Sequence, residues 1–151
     1  MKITLCGSIA FYRKMEEVKL ELEKLGHEVK LPPSHIKDDN GDLIEVVQYY
    51  KKRKEETSET GWIWERKKEA MIMHFEKVEW SDAILVLNYD KNGIEGYIGA
   101  NTFLEMGLAM YQKKKIFLLN KIPQISYKEE ILGMFPIVIN NGDIQSFFRK
   151  A

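Results

Sequence analysis

The chain has little of what several common chemistries require. It carries one cysteine, Cys6, and three histidines, at positions 27, 35 and 74. A lone cysteine forms no internal disulfide, and its apolar neighbours point to a buried thiol. These four residues are scattered without the close pairs of a zinc site, so no metal and no cofactor are expected. Charge of one sign is also missing. Lysine plus arginine and aspartate plus glutamate both total 23, a formal net charge of zero, which argues against a dedicated nucleic-acid binder. With 44% hydrophobic and 30% charged residues, neither disorder nor a membrane span is expected. Met-Lys-Ile-Thr-Leu-Cys enters a strand pattern directly, without a signal-peptide layout, so the expected compartment is the cytoplasm. The dinucleotide Gly-x-Gly-x-x-Gly, the P-loop Gly-Lys-Ser/Thr and the Gly-x-Ser-x-Gly elbow are all lacking. No internal repeat or linker breaks the 151 residues, which read as one domain.

What is present is an alternation of apolar strands and amphipathic helices. Lys2–Cys6 is a short strand that runs into Gly7-Ser8. Phe11, Met15, Val18, Leu22 and Leu25 then recur at spacings of four and three, a helix closed by Gly26. His27–Leu31 forms the next strand, ended by Pro32-Pro33, and the βαβ unit implies a parallel sheet. Residues 34–60 carry no clear period and read as an insertion or flap. They hold a polar loop at Asp38–Asp42 without calcium-loop spacing, a possible helix over Leu43–Lys54, and a Lys-Lys-Arg-Lys run at 51–54 that reads as a solvated face. Trp62–Trp80 is helical, with Met71, His74, Phe75 and Val78 on one face, so His74 points inward. Asp82–Asn88 is an unbroken apolar run, as in a central parallel strand. A glycine-rich loop to Ala100 precedes another helix; Lys115–Asn120 and Ile137–Ile139 are strands, and Tyr127–Met134 and Asp143–Lys150 short helices.

Glu105 stands out because every other residue from Phe103 to Tyr111 is apolar or glycine. Two readings are open. Thr102 and Glu105 have the spacing of a capping box, in which each side chain bonds a first-turn N–H. Alternatively Glu105 is a catalytic carboxylate at the mouth of a site, kept ionised by the helix dipole. In open parallel sheets ligands bind beyond the carboxyl ends of the strands. Gly7-Ser8, Asn88 and Asn120 sit at those ends, and the loop after Asn88 delivers Asn101 and Glu105. The free N–H groups and hydroxyl of Gly7-Ser8 suit a phosphate or a sugar.

The succession Leu5-Cys-Gly-Ser-Ile9, Glu79-Trp-Ser-Asp-Ala-Ile-Leu-Val86 and Phe103-Leu-Glu-Met-Gly-Leu-Ala109 resembles the nucleoside 2-deoxyribosyltransferase superfamily. It is most like the branch of 2'-deoxynucleoside 5'-phosphate N-hydrolases, over most of the chain except residues 33–70. The resemblance implies a flavodoxin- or Rossmann-like three-layer α/β sandwich around a parallel sheet of about five strands. It also implies a homodimer or larger oligomer and metal-free chemistry. By that resemblance Glu105 is the nucleophile at the sugar C1', and Gly7, Ser8 and Ile9 bind the sugar or 5'-phosphate. His74 stands where the hydrolases carry an aspartate, and a pKa near neutrality would make it a general acid for the leaving base. Thr4 replaces a tyrosine, Ala10 an arginine for which Arg13 is the candidate substitute, and Gly133 a serine lent by a neighbouring subunit. Asn88, Asn101 and Asn120 are candidates to orient sugar or base. The expected function is cleavage or exchange of the N-glycosidic bond of a nucleoside or its 5'-monophosphate. The alternatives are a nucleotide sensor of the same fold, with Glu105 mainly a cap, and a purely structural domain. No nucleic-acid or membrane partner is expected.

Overall fold

A computed structural model describes residues 1–139 and 142–149. Five short strands form one parallel sheet: β1 (Lys2–Cys6), β2 (Glu28–Lys30), β5 (Ala83–Val86), β6 (Lys115–Leu118) and β7 (Ile137–Val138), in the order β2-β1-β5-β6-β7. The apolar run predicted as a central strand is central: β5 lies between β1 and β6, with Leu85 paired to Leu5 on one side and Phe117 on the other. Helices cover both faces, so all four β5 residues are buried, and the run needs no polar alternation.

Side-chain parity divides the core. Ile3, Leu5, Ala83, Leu85 and Phe117 project to one face, against α1 (Tyr12–Lys24) and α6 (Ile144–Arg149). Cys6, Ile84, Val86, Ile116 and Leu118 project to the other, against α3 (Trp62–Trp80), α4 (Ala100–Tyr111) and α5 (Lys128–Gly133). The result is the expected three-layer α/β sandwich with a five-stranded parallel sheet. Without the hairpin described next, the strand order is that of flavodoxin-type doubly wound sheets, in which the order reverses beside the first strand.

Residues 34–60 resolve into an antiparallel hairpin, β3 (His35–Lys37) and β4 (Leu43–Glu45), followed by α2 (Val46–Glu55). The helix expected from Leu43 therefore begins three residues later, because Leu43–Glu45 pairs with β3. The acidic loop is the hairpin turn: the Asp38 carboxylate accepts the backbone N–H groups of Asn40 and Asp42, so no cation is needed to hold it. Val46 and Tyr49 anchor α2 to the core, and the Tyr49 hydroxyl donates to the carbonyl of Ile63 at 2.7 Å. The closing helix begins at Ile144, one residue after its expected start, and Lys150, its anticipated last residue, lies outside the described residues. No helix among the described residues is long and apolar enough to cross a membrane.

Candidate active site

The carboxyl edge of the sheet opens, beside β1 and β5, into a cleft of about 410 Å³. The turn after β1, with Gly7, Ser8 and Ile9, lines it together with α2, which packs against that turn. α3 supplies Lys67 and His74, and the amino end of α4 supplies Asn101 and Glu105. Gly7 is required by close approach: a Cβ there would lie 3.1 Å from the Leu87 carbonyl oxygen and from the Met15 methyl.

Glu105 lies on the cleft wall, only 3% exposed. It is not part of a capping box. Gly99 is the N-cap of α4, which puts Thr102 inside the helix and Glu105 in the second turn, beyond reach of the free N–H groups. The carboxylate is held by side chains instead. Asn101 Nδ2 donates to Oε1 at 2.9 Å, while Oε2 has no hydrogen-bond partner and faces His74 Nε2 at 3.7 Å. Burial pushes the carboxyl up to about 8, against the opposing pull of the Cys6 thiol and the Lys67 ammonium. The helix dipole therefore does not keep it ionised; at neutral pH the resting carboxyl carries its proton.

His74 points inward as its helical face requires, and it is 3% exposed. The neutral-range pKa expected of it does not hold: burial, helped by Lys77, lowers it to about 4. The proton available to this pair thus rests on the glutamate. Cys6 completes the group, with Sγ 3.6 Å from His74 Nε2. Burial, then the Glu105 charge, raise the thiol well above its ordinary value. Its participation was missed because it lies far from both partners in sequence, so no short motif joins the three. The available signal is parity: Thr4 and Cys6 alternate with the core residues Ile3 and Leu5, and so turn toward α3 and α4.

The other expected residues divide. Ser8 Oγ accepts from Lys91 Nζ at 2.8 Å, and the same ammonium donates to the Tyr50 hydroxyl at 2.9 Å, which ties the 89–99 loop to α2 and to the turn after β1. Asn88 and Asn120 do not line the cleft. Asn88 Nδ2 donates to the carbonyls of Gly96, Asn120 and Lys121, its Oδ1 accepts the Asn120 N–H, and Asn120 Nδ2 donates to the Asn88 carbonyl. Together they stitch the ends of β5 and β6. Gly96 is fixed by this clamp: with φ +66°, a Cβ would lie 2.5 Å from the Lys121 oxygen. Arg13 is exposed on α1 and does not line the cleft, so it does not replace the arginine absent at Ala10.

Two of the cleft's four cations come from residues 34–60. Arg53 and Lys54, taken from sequence as a solvated run, line the cleft with Lys67 and Lys91. Arg53, Lys54 and Lys91 all lie within 5.3 Å of the centre of the Tyr50 ring. Burial, then Arg53, depress the Lys67 ammonium to about 8, and it donates to Asn101 Oδ1 at 3.4 Å. Four cations therefore face one carboxyl group, and that carboxyl is protonated at rest. Such a wall attracts an anion.

Fold and cleft define a doubly wound α/β protein with a cleft at its topological switch point, where ligands of such sheets bind. No family model and no curated protein matches the chain. Among solved structures it is similar to a 2-deoxyribosyltransferase from the psychrotolerant bacterium Bacillus psychrosaccharolyticus, with 18% identity and TM-score 0.45 over 78% of this chain and 71% of that one. It is also similar to the CMP N-glycosidase BcmB of Clostridium botulinum, with 17% identity and TM-score 0.49 over 99% and 97% of the two chains.

Proposed function

We propose that the protein cleaves or exchanges the N-glycosidic bond of a nucleoside 5'-monophosphate. The observation that carries this reading is Glu105, a buried carboxyl with one unpartnered oxygen, lining a cleft that Arg53, Lys54 and Lys91 also line. A sugar ring between them presents C1' to the carboxyl and its phosphate to the cations. Ser8, at the turn after β1, supplies a hydroxyl on the phosphate side.

The pair of Glu105 and His74 starts with a single proton, on the carboxyl. As the two side chains close from 3.7 Å to hydrogen-bonding distance, that proton passes to His74 Nε2, which leaves a carboxylate nucleophile and an imidazolium acid. The carboxylate attacks C1', the bond to the base breaks, and the imidazolium protonates the departing nitrogen. Water then opens the glycosyl ester, His74 takes up the water's proton, and the carboxylate is released; a second base in place of water gives exchange. Asn101, bonded to Oε1 at 2.9 Å, orients the carboxylate and links it to Lys67. Within this proposal the chain is also a homodimer through α4. Leu104, Gly107, Leu108 and Tyr111 form an apolar stripe at helical spacing on its outer side, with Leu104 half exposed and Tyr111 84% exposed.

The test is base release, followed by chromatography, from nucleosides and their 5'-monophosphates, with and without a second free base. Release from monophosphates, lost in Glu105→Gln, is expected. Binding of monophosphates without release from any of them would instead indicate a nucleotide-binding module.

A further inference from the structure

Cys6, His74 and Glu105 come from β1, α3 and α4, and their donor atoms all lie within 4.8 Å of one another. Among the described residues this is the group of metal-ligand side chains that the fold gathers into one place. The separations match those between ligands of one metal ion. Sγ to Nε2 is 3.6 Å and Nε2 to Oε2 is 3.7 Å, the latter too long for a hydrogen bond. Around a tetrahedral zinc ion, ordinary bond lengths put thiolate sulfur and imidazole nitrogen about 3.6 Å apart, and nitrogen and carboxylate oxygen about 3.4 Å apart. The unpartnered Oε2 is the oxygen that faces His74, on a side chain buried to 97%.

We propose that Cys6 Sγ, His74 Nε2 and Glu105 Oε2 bind a thiophilic divalent cation of the zinc type, and that the ion switches the site off. One thiolate and one carboxylate offset the ion's two charges, so the filled site is neutral, as a buried site requires. A mixed sulfur, nitrogen and oxygen set selects zinc over magnesium or calcium, which take oxygen ligands. Three protein ligands leave a fourth position, open on the cleft side where His74 and Glu105 are exposed to it. The switching rests on the glycosidase reading: zinc draws electron density from the Glu105 carboxylate and occupies both it and His74, which weakens the nucleophile and removes the acid. The binding does not rest on that reading.

The full chain, stripped with a chelator, would be titrated with Co2+ alone and followed by the thiolate-to-cobalt charge-transfer absorption, with Zn2+ as competitor. One equivalent per chain, displaced by zinc, is expected. Cys6→Ser should abolish the absorption, and Glu105→Gln should weaken Co2+ binding at least tenfold; circular dichroism of both variants checks that they fold. No charge-transfer band, or binding unchanged in both folded variants, overturns the site. In the base-release assay, activity of the stripped enzyme that one equivalent of zinc removes supports the switch; activity indifferent to bound zinc overturns it. Activity that requires zinc would keep the site while refuting both the switch and the nucleophile assigned to Glu105. Absence of base release from every substrate would remove the glycosidase reading, and the cobalt spectrum would still decide the site.

Discussion

At the scale of single residues, the Glu105–His74 pair makes pH a direct probe. In chelator-treated protein the reactive form holds one proton between the two groups, so it persists from about pH 4, where His74 titrates, to about pH 8, where the pair loses its proton. The expected kcat/KM is flat around neutrality and falls above pH 8. A rate that climbed tenfold per unit from pH 6 to 8 would show that the carboxylate alone is the active form. Stability gives an independent check. The folded pKa of Glu105 lies above its unfolded value, so between about 4.5 and 8 the native state binds more protons than the unfolded one. Stability contributed by the protonated carboxyl is therefore lost as pH rises through that window. Glu105→Gln does not titrate, so its stability relative to the wild type should grow by about 2 kcal/mol from pH 6.5 to 8, measured by urea unfolding. The same variant should lose at least a thousandfold in base release, as expected for removal of a nucleophile.

At the scale of elements, α2 and the clamp between β5 and β6 separate binding from folding. Replacement of Arg53 and Lys54 together by alanine should raise KM for a 5'-monophosphate tenfold or more and leave the unphosphorylated nucleoside unaffected. Equal losses on both substrates would remove the phosphate role. Asn88→Ala belongs to the opposite class. It strips three carbonyls and one N–H of their buried partner, at a cost of roughly 2–4 kcal/mol, visible as a lower Tm. The same division explains what sequence could disclose. The sheet strands and the amphipathic α1 and α3 were legible because burial on one or two faces imposes a period, and α3 falls on its predicted bounds, Trp62–Trp80. The hairpin was not, because three-residue strands are too short to show a period, and α2 was legible only as a helix begun three residues early, since two buried side chains hold it. Asn88 and Asn120 were placed correctly at the strand ends, yet position alone does not say whether an amide faces a ligand or its neighbour's backbone. Glu105 was legible as an anomaly; its charge state was not, since that depends on how deeply α3 and α4 bury it.

At the scale of the whole molecule, a net charge of zero conceals a separation of charge, because four cations gather at one cleft while the acids are dispersed. Association with a phosphorylated ligand should therefore slow as salt rises, though the protein as a whole carries no net field. In the proposed dimer the apolar stripe on α4 is the interface. Light scattering should report a dimer for the wild type and a monomer for the double variant Leu104→Glu, Tyr111→Glu, and a wild-type monomer would refute the proposed interface. The construction of the cleft has a further consequence. The proposed reacting groups sit on α3 and α4, whose positions are fixed by the two cores, whereas two of the four cleft cations, Arg53 and Lys54, sit on a segment added between β2 and α3. Substitutions, and even exchange, within residues 34–60 can retune which ligand is held without touching the atoms that react. The inserted stretch is thus where a lineage built on this scaffold is free to diversify in what it recognises, while the reaction stays the same.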